Sequence, residues 1–122
     1  MGVKRISLKN GKLPVKGKSL YCARATAFHL AQQILGVSES LKMENASILG
    51  NPFKDKNKNV IEKYRQFLKH QLNREKSNVK SKLIELKERY ENGEDLNLAC
   101  FCKLDRKCHV DIIIEYIKTG EL

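Results

Sequence analysis

The stretch Leu96-Asn97-Leu98-Ala99-Cys100-Phe101-Cys102-Lys103-Leu104-Asp105-Arg106-Lys107-Cys108-His109-Val110-Asp111-Ile112-Ile113-Ile114-Glu115-Tyr116-Ile117-Lys118 decides the fold. Its first part, Leu96 to Phe101, is short, almost wholly apolar and followed by a polar loop. That is the pattern of a central strand covered on both faces. Val110 to Lys118 is apolar nearly all round, so it reads as a largely buried helix, with Gly120 as its stop. A doubly covered strand followed by a helix is the unit from which parallel α/β sheets are built.

Working back from this unit, Val79, Leu83, Leu86 and Tyr90 form one helical stripe from about Asn78, ending at Asn92-Gly93. Val60, Ile61, Tyr64, Phe67, Leu68 and Leu72 form another, with Asn59 as its expected cap. Gly50-Asn51-Pro52 interrupts any helix, because the residue before a proline is driven to extended geometry. Residues 37–50 read as irregular. Ala27, Leu30, Ala31, Ile34 and Leu35 give a helical stripe closed by Gly36. Further back, Ile6 and Leu8 alternate with polar neighbours, Asn10-Gly11 is a hairpin signal, and Leu13 and Val15 resume the alternation. A third short strand is expected at Leu20-Tyr21-Cys22, with Cys22 in the core. The expectation is one compact α/β domain over residues 1–122, with a small, mostly parallel sheet and flanking helices.

Composition sets the class of protein. At 122 residues the chain is long enough for one core without disulfide staples. Its longest apolar runs fall far short of the roughly 20 residues that a membrane span needs. Met1-Gly2-Val3-Lys4-Arg5 is followed by no apolar signal segment, so a cytoplasmic protein is expected, in the host cytoplasm if phage-borne. Three of the four cysteines fall within residues 100–108, which suits metal, redox or site chemistry better than a disulfide framework. The net charge of +10 is carried by residues 1–24, which hold seven Lys and Arg and no acid, and by residues 54–90; residues 91–122 are mildly acidic. Such a field favours anionic partners, among them a small anionic ligand or weakly and non-specifically held nucleic acid. The same lysines also fit a merely solvated helix surface.

Side chains alternate on a strand, so Cys100 and Cys102 share a face while Phe101 points the other way. They sit where the strand leaves the sheet, and Cys108-His109 open the next helix. In open α/β sheets ligands bind at this edge, beside helix N-termini. Two chemistries fit these residues. One needs no metal: the helix dipole and a neighbouring His activate the thiol of Cys108, and His109 or Asp111 moves protons. The other is zinc held by Cys100, Cys102, Cys108 and His109, although Cys-x-Cys-x5-Cys-His is not the usual knuckle spacing. A third account leaves Cys100 and Cys102 as small core residues. In the metal-free case, Arg24 and the helix start bind a phosphate, while Gly50-Asn51-Pro52 supplies backbone and amide contacts. His109, at the helix start, is expected to face a cavity free of core packing.

Taken together, several of these residues resemble a known family. Tyr21-Cys22-Ala23-Arg24, Gly50-Asn51-Pro52-Phe53, Tyr64 in the helix after Asn59, Cys100-Phe101-Cys102, Cys108-His109 and Asp111 follow one another as in the small bacterial and phage domains known as domain of unknown function 4326. The resemblance spans roughly residues 3–118. It implies that Arg24, Gly50, Asn51, Cys100, Cys102, Cys108, His109 and Asp111 belong to one recurring constellation, and the family name supplies no activity. Two functions are therefore expected to compete. One is a pocket protein that binds, or chemically alters, a nucleotide-like anion. The other is a zinc-stabilised binding module that contacts nucleic acid or a host protein.

Overall fold

The computed structural model describes residues 2–53, 59–102, 104 and 106–122. In chain order its elements are β1 (Val3–Ser7), β2 (Lys18–Tyr21), α1 (Phe28–Leu35), α2 (Val37–Ser40), β3 (Met43–Asn45), α3 (Val60–Leu72), α4 (Asn78–Glu91), β4 (Leu96–Cys100) and α5 (His109–Thr119). The strands form one sheet in the order β1-β4-β2-β3, and every pairing is parallel. The chain is thus an α/β protein. No described helix is long and apolar enough to cross a membrane.

β4 is central because it is apolar on both faces, and all five of its residues are buried. Leu96, Leu98 and Cys100 enter one core with Leu20 and Cys22 of the β2 segment, Tyr64 and Leu68 of α3, Leu83 and Leu86 of α4, and Ile113 and Ile117 of α5. Ala99 faces the opposite side, joining Tyr21, Ala31, Leu35 and Met43 under α1. The helices therefore cover the sheet unequally, with three on one face and α1 on the other.

The expected N-terminal hairpin does not form. After β1 the chain makes a single 3-10 turn, Leu8–Asn10, which Ser7 caps by accepting a hydrogen bond from the Lys9 amide. Gly11, at φ 77°, closes that turn through its own N–H to the Leu8 carbonyl. The Asn-Gly signal thus ends a helical turn instead of reversing a ribbon. Leu13 is buried but Val15 is fully exposed, and β1 and β2 each pair with β4 from opposite sides. A β4 buried along its whole length needs a strand on each edge, which a β1–β2 hairpin would not supply.

Residues 37–50, expected to be irregular, hold α2, β3 and a further 3-10 turn at Ser47–Leu49. β3 is an edge strand of three residues whose Glu44 and Asn45 are exposed, so it carries no readable alternation. In α1 only Ala31 and Leu35 are buried, while Leu30 and Ile34 reach solvent. Asn59 precedes α3 without making a side-chain cap, whereas Ser77 caps α4 by accepting from the Lys80 amide.

Cys22, expected in the core, is fully buried at the end of β2. Burial pushes its thiol up to about 12 from an ordinary value of 9. The unfolded thiol loses its proton near pH 9 while the folded one keeps it. Its contribution to stability is therefore complete below pH 9 and is lost as pH rises toward about 12. Urea midpoints between about pH 8 and about pH 11 should fall more steeply for the native chain than for Cys22→Ala. Equal slopes would contradict a buried neutral thiol.

Candidate functional site

The loops that leave β2 and β4 run to opposite faces, toward α1 and α5 respectively. Neighbouring strands with diverging connections define the switch point of an open parallel sheet, where a crevice opens at the strands' C-terminal ends. A cavity of about 410 Å³ lies there. Ala23, Arg24 and Ala27 line it from the β2 side, Cys100, Phe101 and Cys102 from the β4 side, and Lys107, Cys108 and His109 from the entry to α5. Asn51, Phe53, Val60 and Ile61 complete the wall.

Six of the residues singled out in the sequence meet at this cavity: Arg24, Asn51, Cys100, Cys102, Cys108 and His109. Gly50, Pro52 and Asp111 do not line it. Gly50 has a packing reason: a Cβ there would stand 2.7 Å from the Ala23 carbonyl oxygen, so only glycine lets the turn lie against the end of β2. Asn51 makes an Asx turn, its Oδ1 accepting from the Phe53 amide at 2.9 Å. The residue as a whole also lines the cavity. The Arg24 guanidinium donates from Nε to the Asn51 carbonyl at 3.1 Å and from Nη2 to the Phe53 carbonyl at 2.8 Å. It braces this turn and still borders the pocket as a cation.

Cys108 is the N-cap of α5. Its N–H donates to Asp111 Oδ2 at 3.0 Å, and its side chain closes the reciprocal half of a capping box. The Asp111 carboxylate is thus a capping group and an ion-pair partner of Arg5, with Nε to Oδ1 at 3.5 Å.

His109 differs from expectation. It is only 8% exposed and belongs to the packing as well as to the cavity wall. Its Nε2 lies 2.7 Å from the Cys22 carbonyl, and its ring meets Tyr64 edge-on at 5.1 Å between centroids. A backbone carbonyl only accepts, so Nε2 carries a proton, and Nδ1 lies 3.6 Å from Cys108 Sγ. Tyr64 is itself fixed by donating to the Leu49 carbonyl at 2.5 Å. The ring is pulled inward because the end of β2 offers a carbonyl that no strand neighbour takes.

All four cysteines are free thiols. The sulfurs of Cys100, Cys102 and Cys108 lie within 4.8 Å of one another, and those of Cys100 and Cys108 are 3.4 Å apart. Such a group is a ligand set able to hold a metal ion. The thiols of Cys100 and Cys108 donate toward Cys102 and lower its pKa, with the Arg5 charge adding to the effect. Cys100, as a donor buried beside its neighbours, is raised.

Arg5 is the residue that motif reading missed. In parallel register it stands opposite Leu98, on the face that carries Cys100, and its side chain is only 9% exposed. Its Nη2 donates to the Leu104 carbonyl at 2.8 Å, and its guanidinium stands beside the Asp111 carboxylate and the Cys108 side chain. Its Nη1 is buried without a hydrogen-bond partner. Strand parity held the signal: Val3, Arg5 and Ser7 share one face, and a lone Arg between two buried residues needs an anionic neighbour.

Residues 6–119 match the family described as Domain of unknown function (DUF4326), nearly the whole chain. The chain belongs to this family. No curated protein and no solved structure matches it. Within this DUF4326 chain, the Tyr-to-Arg segment after β2, the Gly-Asn-Pro-Phe turn, the aromatic of α3 and the cysteine segment converge on one edge of the sheet. They do so through the Arg24 contacts to the turn and the contacts of His109 with the Cys22 carbonyl and Tyr64.

Proposed function

We propose that this DUF4326 protein binds a small, ring-bearing anion of nucleotide type in the switch-point cavity. The observation that carries this reading is the composition of the wall. Arg24 and Lys107 border it, and no acid does among the described residues. Phe53, Phe101, Val60 and Ile61 offer apolar surface for a flat ring, the Asn51 amide offers a directed donor, and the volume suits a small ligand. The cations would hold the phosphate. The capped start of α5 is a weaker contributor, because Asp111 already occupies the Cys108 amide and adds a negative charge there. Cys108 and His109 are the groups placed to act on the ligand.

Titration calorimetry with nucleoside 5′-monophosphates and the matching nucleosides tests this. The monophosphates should bind, the nucleosides more weakly, and added salt should weaken the difference. Lys107→Ala should reduce monophosphate affinity about 10-fold, the worth of one charge-assisted hydrogen bond, and leave nucleoside binding unchanged. Equal affinity for charged and uncharged forms, or none for either, would refute the proposal.

A further inference from the structure

The three clustered thiols invite a sharper assignment than a ligand pocket alone. We propose that Cys100, Cys102 and Cys108 together hold one zinc ion as thiolates, with its fourth coordination position opening into the cavity. The role of that open position rests on the ligand reading above; the metal site does not.

The geometry fits without rearrangement of the backbone. Zinc–sulfur bonds of about 2.3 Å at tetrahedral angles place sulfurs about 3.8 Å apart. The three sulfurs lie within 4.8 Å of one another, and the Cys100–Cys108 separation of 3.4 Å is within side-chain adjustment of that spacing. The ligands come from the end of β4, the second residue past it and the N-cap of α5, so two of the three stand at the ends of regular elements. Thiolates select zinc over magnesium or calcium, which prefer oxygen.

Charge supplies an independent reason. Arg5 is a buried cation with one donor lacking any partner, set beside these sulfurs. Among the described residues, three neutral thiols would leave only Asp111 to balance it, and that ion pair is half exposed at the carboxylate. Three thiolates around a divalent ion carry one net negative charge, which would compensate the guanidinium.

His109 is not the fourth ligand in this arrangement. Its Nδ1 approaches Cys108 Sγ at 3.6 Å but does not join the mutually close group of donor atoms. The cysteines border the cavity, so the remaining position is reached from there. Three protein ligands with an open position is the pattern of a reactive zinc, as opposed to a closed structural one.

The experiment uses the full chain, stripped with chelator under reductant and titrated with Co²⁺ and then Zn²⁺. Expected are one ion per chain, a thiolate-to-cobalt charge-transfer band, tetrahedral d–d bands, and their loss as zinc displaces cobalt. Cys102→Ser, at a half-buried position that leaves the core intact, should weaken binding by more than the roughly 10–100-fold typical of losing an outer-shell partner. Circular dichroism checks that it folds. Arg5→Gln should fall within that outer-shell range. No retained cobalt, or unaltered affinity in Cys102→Ser, overturns the metal site. Cyanide should shift the d–d bands of the cobalt form, and His109→Gln should keep them. No cyanide shift, or loss of the bands in His109→Gln, overturns the open position. If nucleoside monophosphates bind the metal-free chain but leave the cobalt bands unmoved, the ligand reading stands and the coupling falls. If metal binds and no monophosphate does, the ligand reading fails and the zinc site stands.

Discussion

Leu98→Ala is expected to destabilise the protein by about 2–5 kcal/mol, the range for emptying a leucine-sized volume in a packed interior. Leu98 is fully buried in the middle of β4, between Arg5 of β1 and Leu20 of β2 in register, and belongs to the core beneath α3, α4 and α5. A strand held on both edges cannot shift to close the void, so the cost should lie toward the upper end. Domains of this size are stable by only about 5–15 kcal/mol, and the variant should be visibly compromised at 37 °C. Leu98→Met, which conserves volume, should cost less than about 1.5 kcal/mol. Urea unfolding of both variants provides the comparison. A loss below about 1 kcal/mol in Leu98→Ala would mean that β4 is not the closed centre of the sheet.

His109→Ala should cost about 2–4 kcal/mol. The change leaves the buried Cys22 carbonyl without its donor, worth about 1–3 kcal/mol, and removes the edge-on contact with Tyr64, worth about 0.5–1.5 kcal/mol. Ligand affinity should fall with it, since the ring also borders the cavity. This is a larger effect than a helix-start histidine facing solvent would show, and it makes His109 both scaffold and site. His109→Gln, whose amide can reach the same carbonyl, should recover part of the stability. A loss under about 1 kcal/mol in His109→Ala, measured by chemical denaturation, would show that the ring does not hold the Cys22 carbonyl.

The elements legible in the sequence were those whose faces differ sharply in polarity. The run Leu96 to Phe101 disclosed β4 as central, and the stripes of α3, α4 and α5 were readable from their spacing. β3 was not, because an edge strand of three residues with two exposed side chains has no pattern to show. The hairpin expectation failed at Asn10-Gly11 because a residue pair that permits positive φ serves a helical stop as well as a ribbon reversal. At the site, Arg24, Asn51, Cys100, Cys102, Cys108 and His109 were marked by chemistry and turn context. Arg5 was hidden because its importance comes from the register between β1 and β4, residues far apart in the chain. Lys107 has no signature apart from the cavity that collects it.

The placement of β4 between β1 and β2 bears on how the protein is made. On the ribosome, β1 through α4 emerge before β4 does, and neither β1 nor β2 has its central neighbour until residues 96–100 are free. Only the β2–β3 pairing can form early. The emerging polypeptide therefore carries incomplete sheet edges and uncovered α3 and α4 faces through most of its synthesis, a state open to aggregation and to chaperone capture. Closure comes late, when β4 inserts and α5 seals the same face, as one cooperative step with long-range contacts. A nascent chain arrested just short of β4 should be protease-sensitive throughout, whereas one extended past α5 should become resistant all at once.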